Sequence, residues 1–306
     1  MKVTKLEICS PGAVANTLIT HLSFSFNGED RTNPYVLKKI DGLNPDEIIR
    51  TYNDGPAFYR LRPKEKKLSI HVKINPNYKD NISIGELRDY LYNLVAFNTR
   101  AVTWNSDTKL QFRFLNGSEY LASIFGVVSK IDTDIFSNSS DLILTVDCDD
   151  PFFRSTEDVN LSSNIMLDSH AKHYLNGQLF NVESAFYCND EKSTAPHGFR
   201  MEIECVSEPP FDMYNPKKFL IWDSRNVQKY FFASSFDFQV GDWIFFSSEE
   251  DNRYFSIGRG FVNYDMFNTF YWGSIWPMIS PGENFFEVSE GFNIRTVKHR
   301  YSYWGV

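Results

Sequence analysis

The stretch Asp141–Phe153, DLILTVDCDDPFF, decides how the chain is divided. Leu142-Ile143-Leu144-Thr145-Val146 is an apolar, β-branched run of strand length. It ends at Asp147-Cys148-Asp149-Asp150-Pro151. Pro151 cannot donate to a ladder and keeps Asp150 out of helical geometry, so a strand stops and the chain turns. The turn falls near the midpoint of 306 residues, where a chain of this length is expected to divide. The plain reading of the acidic cluster is a solvated strand end. Asp147, Asp149 and Asp150 are also hard oxygen ligands for a cation, but they lack the repeated spacing of a calcium loop.

Upstream of this strand the pattern is mainly β. Val3–Ile8 and Leu18–Phe26 read as strands, the second alternating Leu22, Phe24 and Phe26 with Ser23 and Ser25. Tyr35–Ile40 is a short strand closed by Asp41-Gly42, and Tyr52–Pro56 is a turn. In Leu68–Ile74 one face carries Leu68, Ile70, Val72 and Ile74, which places His71 on the polar face. One helix stands out. Ser83-Ile84-Gly85-Glu86 is a capping box, and Ile84, Leu87, Leu91, Leu94 and Val95 follow at helical spacing, so a helix is expected to about Phe97 or Asn98. Leu110–Leu115 and Tyr120–Val128 flank Asn116-Gly117, a hairpin signal.

Downstream, Arg154–Gly177 is polar and weakly periodic and reads as a linker or an irregular crossing. The rest is almost entirely β. Strands are expected at Leu179–Tyr187, Phe199–Val206, Lys218–Asp223, Tyr230–Phe238, Trp243–Ser247, Tyr254–Ile257, Phe285–Val288 and Ile294–Tyr303. Short strands separated by turns suggest a sandwich or barrel. Two domains are expected, 1–153 and 154–306.

Composition narrows the function. The chain holds 28 Phe, 16 Tyr and 6 Trp, which fits a β-rich core or, alternatively, aromatic platforms for sugars or partners. A net charge of −8 argues against nucleic-acid binding, which needs a basic stripe. Lys64-Glu65-Lys66-Lys67, the densest basic run, reads as an exposed turn. Cys9, Cys148, Cys188 and Cys205 form no C-x-x-C pair and read as free buried thiols of a chain folded in a reducing cytoplasm. No signal peptide or membrane-spanning run is visible, so the N-x-S triplets at Asn81, Asn116, Asn138 and Asn160 carry no message.

Catalytic motifs are missing: there is no G-x-S-x-G, H-E-x-x-H, Walker loop or Rossmann fingerprint. Gly258-Arg259-Gly260 is too short to cradle a phosphate. His170 and His173 have a metal-like spacing with no third ligand nearby. Glu202 and Glu204 could pose as a glycosidase pair, but alternation makes them the solvent face opposite Met201, Ile203 and Cys205. No catalytic, cofactor or metal residue is therefore named, and no cofactor is expected.

Several short motifs carry a resemblance. Pro34–Asp46, PYVLKKIDGLNPD, resembles the strand and "I-D-G-L-x-P" turn of the distal tail proteins of long non-contractile-tailed bacteriophages; Asp41, Gly42, Leu43 and Pro45 are its matching residues. The aliphatic strand ending in Asp150-Pro151-Phe152 looks like the end of that family's first domain. Phe238–Trp243, FQVGDW, is similar to a later "G-D" turn, and Trp276–Asn284 to a "W-P-x-L-x-P-G-x-N" turn, through Trp276, Pro277, Pro281, Gly282 and Asn284. Tyr301–Val306 matches its last strand.

The resemblance implies a mainly β baseplate subunit. It has an N-terminal β-barrel-like belt domain with one helix and a C-terminal galectin-like β-sandwich. It also implies a ring, commonly a hexamer, at the distal end of the virion's tail. That ring would join the tail tube to the tail-tip hub and, in many phages, to receptor-binding proteins. Galectin sugar chemistry is not carried over: the H-x-N-P-R strand is absent from the second half, and Trp272-Gly273 is not enough. The competing class is a non-catalytic carbohydrate-binding module using Trp222, Trp272 and Trp304 as platforms; a hydrolase is the third.

Overall fold

A computed structural model describes residues 3–11, 18–26, 33–44, 48–52, 59–63, 66–75, 78, 82–100, 109–132, 140–148, 150–167, 172–175, 178–209, 219–223, 230–234, 236–249, 252–270 and 274–306. The chain forms two compact units, Met1–Thr156 with Tyr303–Val306, and Glu157–Ser302.

The first unit contains β1 (Lys5–Pro11), β2 (Leu18–Ser25), β3 (Tyr35–Asp41), β4 (Ile48–Tyr52), β5 (Tyr59–Pro63), β6 (Lys66–Ile74), the helix α1 (Ile84–Arg100), β7 (Leu110–Asn116), β8 (Glu119–Asp132), β9 (Asp141–Cys148) and β10 (Phe153–Arg154). Seven strands close into a barrel in the order β8-β7-β1-β2-β3-β6-β9, because β9 pairs back onto β8. The β2–β3 joint is parallel and the others are antiparallel. β8 makes closure possible by serving both neighbours: its first part pairs with β7, and Val127–Asp132 pairs with β9. Gly126 sits at the changeover. A Cβ there would meet Val146 Cγ1 at 2.6 Å and the Asp147 carbonyl oxygen at 2.9 Å, so only glycine lets β8 cross β9 so closely.

Strand alternation fills the barrel. Leu68, Ile70, Val72 and Ile74 of β6 and Leu142, Leu144 and Val146 of β9 are buried, as are Leu6, Ile8, Phe24, Phe112, Phe114 and Ile124. The α1 stripe covers this core with Leu87 and Leu91, and the Tyr35 hydroxyl donates to the Leu87 carbonyl at 2.7 Å. The capping box forms: Glu86 N donates to Ser83 Oγ at 3.2 Å, and Ser83 N to Glu86 Oε2 at 2.8 Å. The helix runs slightly beyond the expected end, to Arg100. The β7–β8 turn falls at Gly117-Ser118, one residue after the expected Asn116-Gly117, with Gly117 at φ 63°. A hairpin not foreseen from sequence, β4–β5, forms its own two-stranded sheet on either side of the expected turn.

The second unit contains β11 (Val159–Asn160), β12 (Ile165–Leu167), β13 (Lys172–Leu175), β14 (Gln178–Asp190), β15 (Phe199–Cys205), β16 (Phe219–Asp223), β17 (Tyr230–Ser234), β18 (Trp243–Ser247), β19 (Tyr254–Arg259), β20 (Val262–Asp265), β21 (Gly282–Ser289) and β22 (Phe292–His299). Two six-stranded sheets share one core. One has the order β11-β22-β15-β18-β19-β20; the other runs β12-β14-β21-β16-β17, with β13 also on β14. Met201, Ile203, Ile244 and Phe246 of the first sheet and Phe186, Ile221, Phe286 and Val288 of the second enter that core, which makes a β-sandwich. Phenylalanines pack it: Phe186, Phe199 and Phe286 lie 5.0–5.2 Å apart between ring centres, and Phe292 lies 5.1 Å from Phe219 and 5.0 Å from Phe238. This core absorbs much of the chain's aromatic content.

Residues 154–177, read from sequence as a linker or an irregular crossing, are described in part. They hold the short strands β11, β12 and β13, whose two to four residues are too few to show a period. The expected last strand is split. β22 ends at His299, and β23 (Ser302–Tyr303) joins β10 in the barrel's sheet. Tyr303–Val306 thus belongs with the first unit rather than with the second.

Candidate functional site

The sequence motifs gather in two places. The first lies in the barrel unit around Lys66. In the run Lys64–Lys67 this residue reads as exposed, yet it is 1% exposed. The correction follows from register: β6 begins at Lys66, and alternation with Leu68 and Ile70 turns it inward. Its ammonium donates to the Asn44 carbonyl at 3.0 Å and to the Trp304 carbonyl at 3.4 Å, and stands 4.8 Å from the Phe153 ring centre. Those partners come from three distant stretches: the turn after β3, the start of β10, and the segment after β23.

The same stretches are tied to one another. Val306 N donates to the Leu43 carbonyl at 3.0 Å, and Phe152 packs edge-on against Trp304 at 4.7 Å. Asp150 accepts from the Phe152 amide at 3.0 Å and from the Arg154 guanidinium at 2.5 Å, so it turns the chain at Pro151 and its carboxylate is neutralised by protein. Gly42 lies at φ 91°, with its α-carbon against the Lys67 carbonyl. Asp41 meets His71 at 3.2 Å, and the Lys39 ammonium beside it holds its carboxyl below the usual carboxylate range. Asp41, Gly42, Leu43, Asp150, Pro151 and Phe152 thus occupy one junction; Pro45 and Asp149 lie outside the described residues.

The second place is the loop Trp276–Asn284 in the sandwich. Trp276 is half-buried, with ring centres of Phe270 at 5.4 Å, Phe246 at 5.5 Å and Phe267 at 6.0 Å. Pro277 and Ile279 are buried, and Ile279 bridges to His197 through both backbone bonds. Pro281 is exposed, and Gly282 at φ 92° supplies the turn into β21. Asn284 fixes the loop: it is 1% exposed, its Nδ2 donates to the carbonyls of Ser280 at 2.6 Å and Gly282 at 2.7 Å, and its Oδ1 accepts from Ser280 N at 2.9 Å. Asn284→Ala is expected to cost about 2–4 kcal/mol, since a buried side chain is lost and these part-buried backbone groups lose their partner. Urea unfolding of the full chain measures this, and a loss below about 0.5 kcal/mol would make the clamp dispensable.

A buried polar cluster escaped the sequence reading, because its residues lie far apart in the chain. His197 Nε2 and His299 Nδ1 are 2.8 Å apart, and His197 Nδ1 lies 3.6 Å from Asp190 Oδ2. Asp190 also accepts from Ser193 N at 3.0 Å. Burial pushes the His299 imidazole below its ordinary value, against the opposing pull of Asp190. A histidine with a depressed folded pKa binds its proton more readily when unfolded. Stability is then fully present above about pH 6.5 and is lost as pH falls from there through the folded pKa. Thermal melts between pH 8 and pH 5 are expected to drop with acid, and His299→Gln is expected to flatten that slope; an unchanged slope would assign it elsewhere. Burial also pushes the neighbouring Cys188 thiol up to about 12, which keeps it protonated and unreactive.

Other candidates resolve into structure. Glu202 faces solvent and Glu204 is held by Arg295 at 2.7 Å, opposite buried Met201, Ile203 and Cys205. Among the described residues, no group of three His, Cys, Asp or Glu side chains could hold a metal ion, and no helix is long and apolar enough to cross a membrane. Trp222 is no platform: it sits at 0% exposure in the wholly buried strand β16. Trp304 is half-buried against Phe152, and His170, Trp272 and Gly273 lie outside the described residues.

No family model matches the sequence, and no curated protein matches it. Solved structures do. A structure described as SPP1 Dit (gp 19.1), a paradigm of hub adsorption apparatus in Gram-positive infecting phages, is similar with a TM-score of 0.49 at 11% identity, over 90% of this chain and 97% of that one. A chain of the phage p2 baseplate in its activated conformation with Sr is similar with a TM-score of 0.47 at 9% identity, over 97% and 98%. A chain of the phage P2 baseplate in its activated conformation with Ca gives 0.49 at 9%, over 99% and 98%.

Proposed function

We propose that this chain is a distal tail protein, a structural subunit that forms a ring at the end of a long phage tail. The observation that carries the reading is the junction at Lys66. Three of the stretches on which the sequence resemblance rests, Asp41–Leu43, Asp150–Phe152 and the segment after Tyr301, are far apart in the chain and meet there. Motifs that converge in space in this way belong to one architectural element. In this reading the barrel unit is the belt and the sandwich is the galectin-like outer domain. The ring, a homohexamer, joins the tail tube to the tail-tip hub and to receptor-binding proteins. The work is contact without catalytic turnover, nucleic acid or membrane insertion.

A cyclic ring needs a heterologous interface, in which one patch of a subunit meets a different patch of the next. Strand edges are natural joints because pairing covers their free amides and carbonyls. Closure of the barrel uses up the edges of its seven strands. The hairpin β4–β5 pairs with no other strand among those described, and it is the joint we assign. Electron microscopy of the purified full chain and antibody labelling of virions test the role together. Rings with a central pore, and label at the distal end of tails, are expected. Particles that stay monomeric at high concentration and virions with no label at the tail end would overturn it.

A further inference from the structure

We propose that the outer face of the sheet β22-β15-β18-β19-β20 binds an uncharged saccharide. Two rungs run straight across these five strands. One is Asn293–Glu204–Trp243–Gly258–Asn263, and the next is Thr296–Glu202–Phe245–Ser256–Asp265. The residues beside them in sequence, Ile203, Ile244, Phe246, Phe255, Ile257 and Ile294, are buried in the core, so both rungs face away from it.

At the centre stand two aromatic rings, Trp243, 38% exposed, and Phe245, half-buried. An aromatic ring presented to water on a polar face suits the C–H side of a pyranose. Around the rings are groups that pair with vicinal hydroxyls: the amides of Asn293 and Asn263, the hydroxyls of Thr296 and Ser256, and the carboxylates of Glu202 and Glu204. Gly258 lets the Phe245 ring and the Asn263 amide close over the strand: a Cβ there would stand 3.2 Å from both Phe245 Cε2 and Asn263 Oδ1. The platform is also braced. Asp242, the residue before Trp243, accepts from the Arg259 Nε at 2.8 Å and Nη2 at 2.7 Å, locking the start of β18 to the end of β19. Burial pushes the Asp242 carboxyl up, but Arg259 and the Gln239 amide outweigh it and hold it below the usual range.

Charge selects the ligand class. Neither rung carries a lysine or arginine, and the nearby Arg295 is held by Glu204 at 2.7 Å. A phosphorylated, sulfated or uronic acid glycan would meet the Glu202 and Asp265 carboxylates instead of a cation. A purely apolar partner would leave the interleaved amides and carboxylates unpaired. The five strands span about 19 Å, from a strand spacing of about 4.8 Å, which is room for an oligosaccharide rather than one sugar.

The site and the tail role fail separately, since a ring-forming chain at the tail end can lack a sugar site. The test is an array of oligosaccharides built from neutral hexoses, 6-deoxyhexoses and N-acetylhexosamines, probed with the full chain, followed by calorimetry with the ligand that binds. Binding to a neutral glycan is expected. Trp243→Ala and Gly258→Val are each expected to weaken it at least about tenfold, with the melting transition retained. Asn263→Ala, at an exposed position, serves if either variant fails to fold. No binding at about 10 mM glycan, a constant too weak to matter, would overturn the proposal. So would binding to acidic glycans or peptides alone, or undiminished binding by folded Trp243→Ala.

Discussion

A Gly42→Ala protein is expected to lose about 3–5 kcal/mol of stability in its barrel unit. Two independent costs add at this position. Its φ of 91° is left-handed, which costs an L-residue about 1–2 kcal/mol. The new Cβ would also stand 2.2 Å from the Lys67 carbonyl oxygen. That oxygen cannot retreat, because β6 is held by β3 on one side and β9 on the other. Gly117→Ala is the control. Gly117 also has a positive φ, 63°, but a Cβ there meets nothing within 4 Å, so only the conformational cost remains. Urea unfolding of the two variants separates strain from collision. A Gly42→Ala protein no weaker than Gly117→Ala would remove the collision from the account.

Lys66→Ala is expected to cost about 2–4 kcal/mol. Truncation empties the space of a fully buried stem and leaves the Asn44 and Trp304 carbonyls without this donor. It should also loosen residues 303–306, which hydrogen exchange of the Val306 amide on Leu43 would register as faster exchange. Lys66→Met fills the space without donating. If it is as stable as the parent and keeps Val306 protected, packing alone holds the junction and the ammonium has no structural part.

Much of the architecture is legible in local pattern. Leu68–Ile74 and Phe199–Cys205 alternate, so their strands and inward faces follow from period alone, and Leu142–Val146 is announced as a strand by its apolar, β-branched run. Other features are hidden for physical reasons. Val262–Asp265 is exposed at all four positions, so no apolar run announces an edge strand. Phe219–Asp223 is buried at all five, so nothing distinguishes its Trp222 from a surface platform until both faces are seen to be covered. Lys66 reads as surface because lysine usually is, although extending the β6 alternation by two residues would have pointed it inward. The site residues themselves are short turn motifs. Their meeting around Lys66 depends on contacts such as Lys66–Trp304, 238 positions apart, which no window of sequence contains.

That separation also sets an order in time. Residues 303–306 are made only after all of 157–302, so the barrel unit cannot be finished when its own first 156 residues have left the ribosome. At about 5–20 residues per second the gap is roughly 7–30 s. During it the Lys66 ammonium lacks the Trp304 carbonyl, Leu43 lacks the Val306 amide, and Phe152 lacks the Trp304 ring. Bringing such distant partners together also carries the loop-closure cost that slows folding. The junction is thereby completed only after the sandwich has been synthesised too.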